Sequence, residues 1–145
     1  MSVMSVSVSS FSSFLQQFLL SFIYISYLCQ QQTYISSPMT NKNRILLNQI
    51  KAVARDSAPK GSQVLLFGSR ARGEAQKDSD WDILIVLPKN KLEQSDYDEV
   101  SFPFVELGWR VNQRINPIMY TQGEWKANSI TPFYDNVIRD GISLI

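Results

Sequence analysis

The sequence predicts a small α/β domain, a mixed β-sheet of three or four strands with helices packed on it. Two observations carry that prediction. Apolar residues recur at helical spacing in some stretches and as short unbroken runs in others, in the order α-β-β-α-β-α. The chain length, 145 residues, allows one ordinary domain with its own core and hardly two.

Taken in order, Thr40 or Asn41 caps a helix running to about Asp56, with Leu46, Ile50 and Val53 on one stripe. Pro59-Lys60-Gly61 stops it, and Gln63 to Phe67 reads as a short buried strand ended by Gly68-Ser69. A polar stretch, Glu74 to Ser79, leads to a second strand, Trp81 to Leu87, which Pro88 closes. Lys89 and Lys91 read as a solvated loop. Ser95 to Asn112 is helical, with Phe104, Val105, Gly108 and Val111 along one side; Pro103 inside it predicts a kink or a true start near Phe102. Ile115 to Thr121 is a third strand, and Pro117, which lacks a backbone donor, favours an edge or a strand end there. Thr131-Pro132 is an N-cap and first-turn pair for a last helix through Arg139, closed by Gly141.

The composition is uneven. Residues 1–41 carry no charge, and the 14 Lys and Arg and 13 Asp and Glu all lie from Lys42 onward. Residues 1–38 are therefore read as a low-complexity, charge-free upstream extension, with Met39 as the true start and 39–145 as the functional domain; a weak membrane or export segment and an ordered accessory element are the alternatives. A signal peptide would need a basic n-region and a small-residue cleavage site. A membrane span would need a longer, cleaner apolar run, so a membrane role is not expected and the expected location is the cytoplasm. The absence of His excludes a Ser-His-Asp triad and His-ligated zinc, and the one Cys, Cys29, excludes an internal disulfide. A net charge of +1 gives no field for general nucleic-acid binding. Any chemistry falls to carboxylates, Ser, Lys and Arg.

Those residues concentrate in Gly68-Ser69-Arg70-Ala71-Arg72-Gly73 and in Asp78-Ser79-Asp80-Trp81-Asp82 before an aliphatic strand. Gly68 lets the backbone approach a ligand closely, and Ser69 opens a turn whose amides and hydroxyl can hold phosphate oxygens. Arg70 or Arg72 can supply charge to a polyphosphate. Asp80 and Asp82 alternate along a strand, so both side chains leave one face. A carboxylate pair so placed suits a hard divalent cation such as Mg²⁺, which relieves the repulsion between the two.

With these residues in view, the chain resembles the minimal nucleotidyltransferases of the DNA polymerase beta superfamily across about 41–145. Gly68, Ser69, Ala71, Arg72, Gly73, Ser79, Asp80 and Asp82 match that family's signature, and nothing in 1–38 does. The resemblance implies a nucleotidyltransferase fold and Mg²⁺-dependent transfer of a nucleoside monophosphate, AMP from ATP or another nucleoside triphosphate. Gly68 and Ser69, with Arg72, would hold the nucleotide; Asp80 and Asp82 would bind two Mg²⁺ ions and form the catalytic pair. It also implies a HEPN-domain protein as partner and acceptor, in a toxin–antitoxin pair. One departure stands out. The third carboxylate expected on a later strand falls at Asn116, an amide that can offer an oxygen to a metal but cannot act as a base. Glu106 reads as a solvated charge. The alternative is therefore a catalytically weak member that binds its partner toxin without modifying it. Trp81, Trp109, Trp125, Tyr97, Tyr120 and Tyr134 read as core and partner surface.

Overall fold

The structure is a computed structural model that describes residues 39–145. The expectation for residues 1–38 lies outside the described residues.

Helix α1, Asn41–Ser57, begins at Thr40, whose hydroxyl accepts the Asn43 amide hydrogen, and buries Leu46, Ile50 and Ala54 at helical spacing. Strand β1, Gln63–Phe67, ends in a single 3₁₀ turn, Gly68–Arg70; strand β2 is Trp81–Leu87. A long helical element follows in three pieces: α2 (Gln94–Asp96), a π-helical segment (Tyr97–Ser101) and α3 (Phe102–Val111). Asn112 closes it in the left-handed conformation that Asn tolerates. Strand β3 is Ile115–Thr121, α4 is Gln122–Ala127, α5 is Pro132–Asp140 and β4 is Ile142–Ser143.

The four strands lie in the order β3-β2-β1-β4. β1 is antiparallel to β2 and β4, while β2 and β3 are parallel. β3 is an edge, as Pro117 predicts, because an edge strand leaves one row of backbone groups unpaired. β2 is central, and its alternation divides the core. Trp81, Ile83, Ile85 and Leu87 pack with α1 and α3, whereas Leu84 and Val86 pack with Trp125, Val137, Phe133 and Tyr134 of α4 and α5. Each fully buried Ile, Leu or Val contributes about 1.5–3 kcal/mol relative to exposure. Helices therefore cover both faces, and Asp82 begins the row that continues in Leu84 and Val86.

A regular α-helix starts at Phe102 with Pro103 in its first turn, as expected, but it continues a π-helical segment instead of starting afresh. The helix runs through, and the amide of Phe102 donates to the carbonyl of Tyr97, five residues back. This wider turn makes room for the proline ring and for the carbonyl it leaves without a donor. Lys89 is not a free loop charge, since its Nζ donates to both oxygens of Asp96 at 2.8 and 2.9 Å. Leu107, rather than Val105 or Val111, is the further residue that α3 buries. Helix α4 and strand β4 have no counterpart in the sequence reading.

Candidate functional site

The site lies where the end of β1 meets the beginnings of β2 and β3. Antiparallel register sets Phe67 opposite Asp82, and parallel register sets Asp82 opposite Asn116. Gly68 follows at φ +74°, a left-handed conformation that disfavours any side chain. A Cβ there would stand 2.5 Å from Asp82 Oδ2, so the missing side chain is what leaves this carboxylate room. Ser69 continues the turn, and its carbonyl accepts the Glu74 amide hydrogen at 2.9 Å.

Arg70 and Arg72 have separate places. Arg70 is buried, its Nε donates to the carbonyls of Ser79 (2.9 Å) and Asp80 (3.1 Å), and its guanidinium lies 4.3 Å from the Trp81 ring centroid. Burial lowers its pKa from the ordinary value, while Asp80 and Asp82 act in the opposite direction. Arg70 thus fixes the entry to β2 and with it the aspartates. Arg72 is partly exposed, pairs with Glu74 at 2.7 Å and has Asp140 at 3.9 Å. No described hydrogen bond or ion pair joins Arg72 to Asp80 or Asp82.

Asp80, Asp82 and Asn116 do converge. Asn116 Nδ2 donates to Asp80 Oδ2 and to Asp82 Oδ1, each at 3.2 Å. Both neighbours are acceptors when ionised, which orients the amide with its nitrogen toward them. Arg114 Nε lies 2.8 Å from Asp80 Oδ1, an ion pair by distance. That oxygen is nevertheless closed to solvent and accepts no hydrogen bond, because no N–H points along its axis. The distance establishes the charge pairing and the geometry denies the directed bond. Sequence reasoning missed Arg114; its signal was its place two residues before Asn116, just ahead of β3.

The donor set fits a hard cation. It offers two carboxylates and an amide on one rim, a buried carboxylate oxygen without a hydrogen-bond donor, and a cradle kept open by Gly68. Among the described residues no three or more His, Cys, Asp or Glu converge, so further ligands would come from substrate and water. Glu106 is exposed on α3. Trp81 and Trp125 are core, while Trp109 and Tyr97 are exposed. Tyr120 and Tyr134 pack beside Trp125. Among the described residues no helix is long and apolar enough to cross a membrane.

The family profile of the nucleotidyltransferase domain matches residues 47–131. The chain belongs to that family. The match spans Gly68 to Gly73, Asp80, Asp82 and Asn116, and the mixed sheet with helices on it is the nucleotidyltransferase fold. Among solved structures, a toxin–antitoxin crystal structure with AMP-PNP is 21% identical, with a TM-score of 0.50, over 68% of this chain and 72% of that one. A tri-AMPylated HEPN toxin of Shewanella oneidensis in complex with an MNT antitoxin is 18% identical, with a TM-score of 0.46, over 70% and 71%. No curated protein matches the chain.

Proposed function

We propose that this nucleotidyltransferase-family protein transfers AMP from ATP to a HEPN-domain partner in a Mg²⁺-dependent reaction in the cytoplasm, with residues 39–145 as the working domain. One observation carries the reading: Asp80, Asp82 and Asn116 converge beside the open Gly68 turn. Likeness in fold to a toxin–antitoxin structure with AMP-PNP supports the nucleotide and the kind of partner.

In this reading Asp80 and Asp82 hold the Mg²⁺ ions and Asn116 orients the two carboxylates. The Gly68–Ser69 turn holds the β- and γ-phosphates through backbone and hydroxyl. Arg72 adds positive charge once it leaves Glu74, with which it shares only an exposed pair. Bound Mg²⁺ supplies charge stabilisation to an in-line displacement at phosphorus. Arg70 keeps the aspartates in place through the carbonyls of Ser79 and Asp80.

The amide at Asn116 favours a second reading, in which the protein neutralises its partner by binding alone. Intact-mass measurement of a purified HEPN-domain partner, incubated with this protein, ATP and Mg²⁺, separates the two. Mass increments of whole AMP units, lost with Asp82→Asn or with chelator, are expected. A partner that stays bound and unmodified would overturn transfer in favour of binding alone.

A further inference from the structure

We propose that Arg114 is an internal counter-cation for Asp80 that competes with the divalent cation for that carboxylate. The inference rests on the reading of Asp80 and Asp82 as cation-holding residues, and it adds to that reading a residue that sets how readily the cation enters.

Two arginines serve Asp80 in opposite ways. Arg70 is buried and fastened to main-chain carbonyls beneath the aspartates, so it cannot leave without disturbing the strand entry. Arg114 has 74% of its side chain exposed, and Asp80 is its one ion-pair partner among the described residues. Its main chain is held independently, since its carbonyl accepts the Trp81 amide hydrogen at 2.9 Å. The guanidinium can therefore move while the backbone stays.

There is also somewhere for it to go. Arg114 and Asn116 lie on the wall of an open groove of about 460 Å³, lined further by Val105, Trp109, Gln113 and Pro117. The groove gives the side chain space on the side of Trp109 and Asn116.

The contact itself is incomplete. Asp80 Oδ1 is compensated in charge at 2.8 Å but accepts no hydrogen bond, so giving up Arg114 loses little directed bonding. A guanidinium at that distance and a divalent cation on the same oxygen would repel one another within a few ångströms. Occupation of Asp80 by one therefore disfavours the other.

Mn²⁺ titration of the purified full chain, by calorimetry or by the electron paramagnetic resonance of free Mn²⁺, tests this without any turnover. Removing a largely exposed pair, together with the repulsion it imposes, should tighten Mn²⁺ binding by Arg114→Gln about three- to tenfold. The gain should shrink at high salt. Arg114→Lys, which keeps the charge, should stay near wild type. Equal or weaker binding by Arg114→Gln would overturn the competition, because it would mean that Arg114 does not oppose the cation. Binding that survives Asp82→Asn undiminished, or no Mn²⁺ binding by any variant, would instead overturn the cation reading and the inference with it.

Discussion

Asn116 holds the two aspartates together through one amide nitrogen, at 3.2 Å from each. Like-charged carboxylates two residues apart on one face of a strand disfavour each other, and two donated hydrogens offset that cost. Asn116→Asp removes both donors and adds a third negative charge. In divalent-free buffer it should lower stability by about 1 kcal/mol, a modest figure because the position is exposed. Mn²⁺ should more than restore the loss, since a third hard anionic ligand joins the pair. If the missing carboxylate limits catalysis, AMP transfer should rise at least about tenfold, a floor below the roughly 10²–10⁴ of a well-placed general base. Thermal denaturation with and without Mn²⁺, alongside transfer rates, checks both halves. A variant more stable than wild type without metal would contradict the electrostatic account of the triad. Asn116 was visible in the sequence because the family resemblance implies a third carboxylate on a later strand, at that position. Arg114 escaped because an exposed arginine near a strand start resembles any surface charge until its partner is placed.

The long helical element shows what periodicity conveys and what it leaves out. Its apolar spacing marked a helix over this region, and Pro103 marked an irregularity. The π-helical turn that absorbs the proline depends on five-residue hydrogen bonding, which no residue type announces. Helix α4 was legible in principle: Thr121 and Glu124 make reciprocal capping bonds of 3.1 and 2.8 Å, a spacing visible in the sequence. Strand β4 was not, because two residues gain strand character only by pairing with Leu65 and Leu66.

The start of the element rests on Asp96, which accepts the Glu93 amide hydrogen and pairs with Lys89. The Lys89 hydrogen bond, and then the Glu93 amide, hold the Asp96 carboxyl below its ordinary pKa. This stabilisation is complete above the unfolded carboxylate range, near pH 4, and is lost as pH falls through the lower folded value. Lys89 is raised chiefly by the same hydrogen bond, so its share is complete below about pH 10 and is lost as pH rises through its folded value. Asp96→Ala should therefore cost about 1 kcal/mol at pH 7, the usual value of a helix cap. The gap between variant and wild type should narrow toward pH 3. Urea unfolding at the two pH values measures it, and a gap independent of pH would contradict the pairing.

At the scale of the whole molecule, the sheet gathers local features into one rim. The Gly68 to Asp82 motif was readable because its parts are close in sequence and flank one strand turn. The work of Arg70 was not, since a buried guanidinium fastened to main-chain carbonyls differs from a phosphate-binding one only in tertiary surroundings. The central claim is that Gly68, Asp80 and Asp82 together make a site for a nucleoside triphosphate with Mg²⁺. The most direct test is thermal stabilisation of the purified chain by AMP-PNP with Mg²⁺, measured for wild type, Asp80→Asn, Asp82→Asn and Gly68→Ala. Ligand at about 100 times Kd should stabilise wild type by about 2.7 kcal/mol. The two Asn variants should fold as well as wild type yet lose this response. Gly68→Ala should fold less stably by about 1–3 kcal/mol, the cost of a left-handed backbone with a side chain, and should lose the response too. A full response retained by all three variants would contradict the claim.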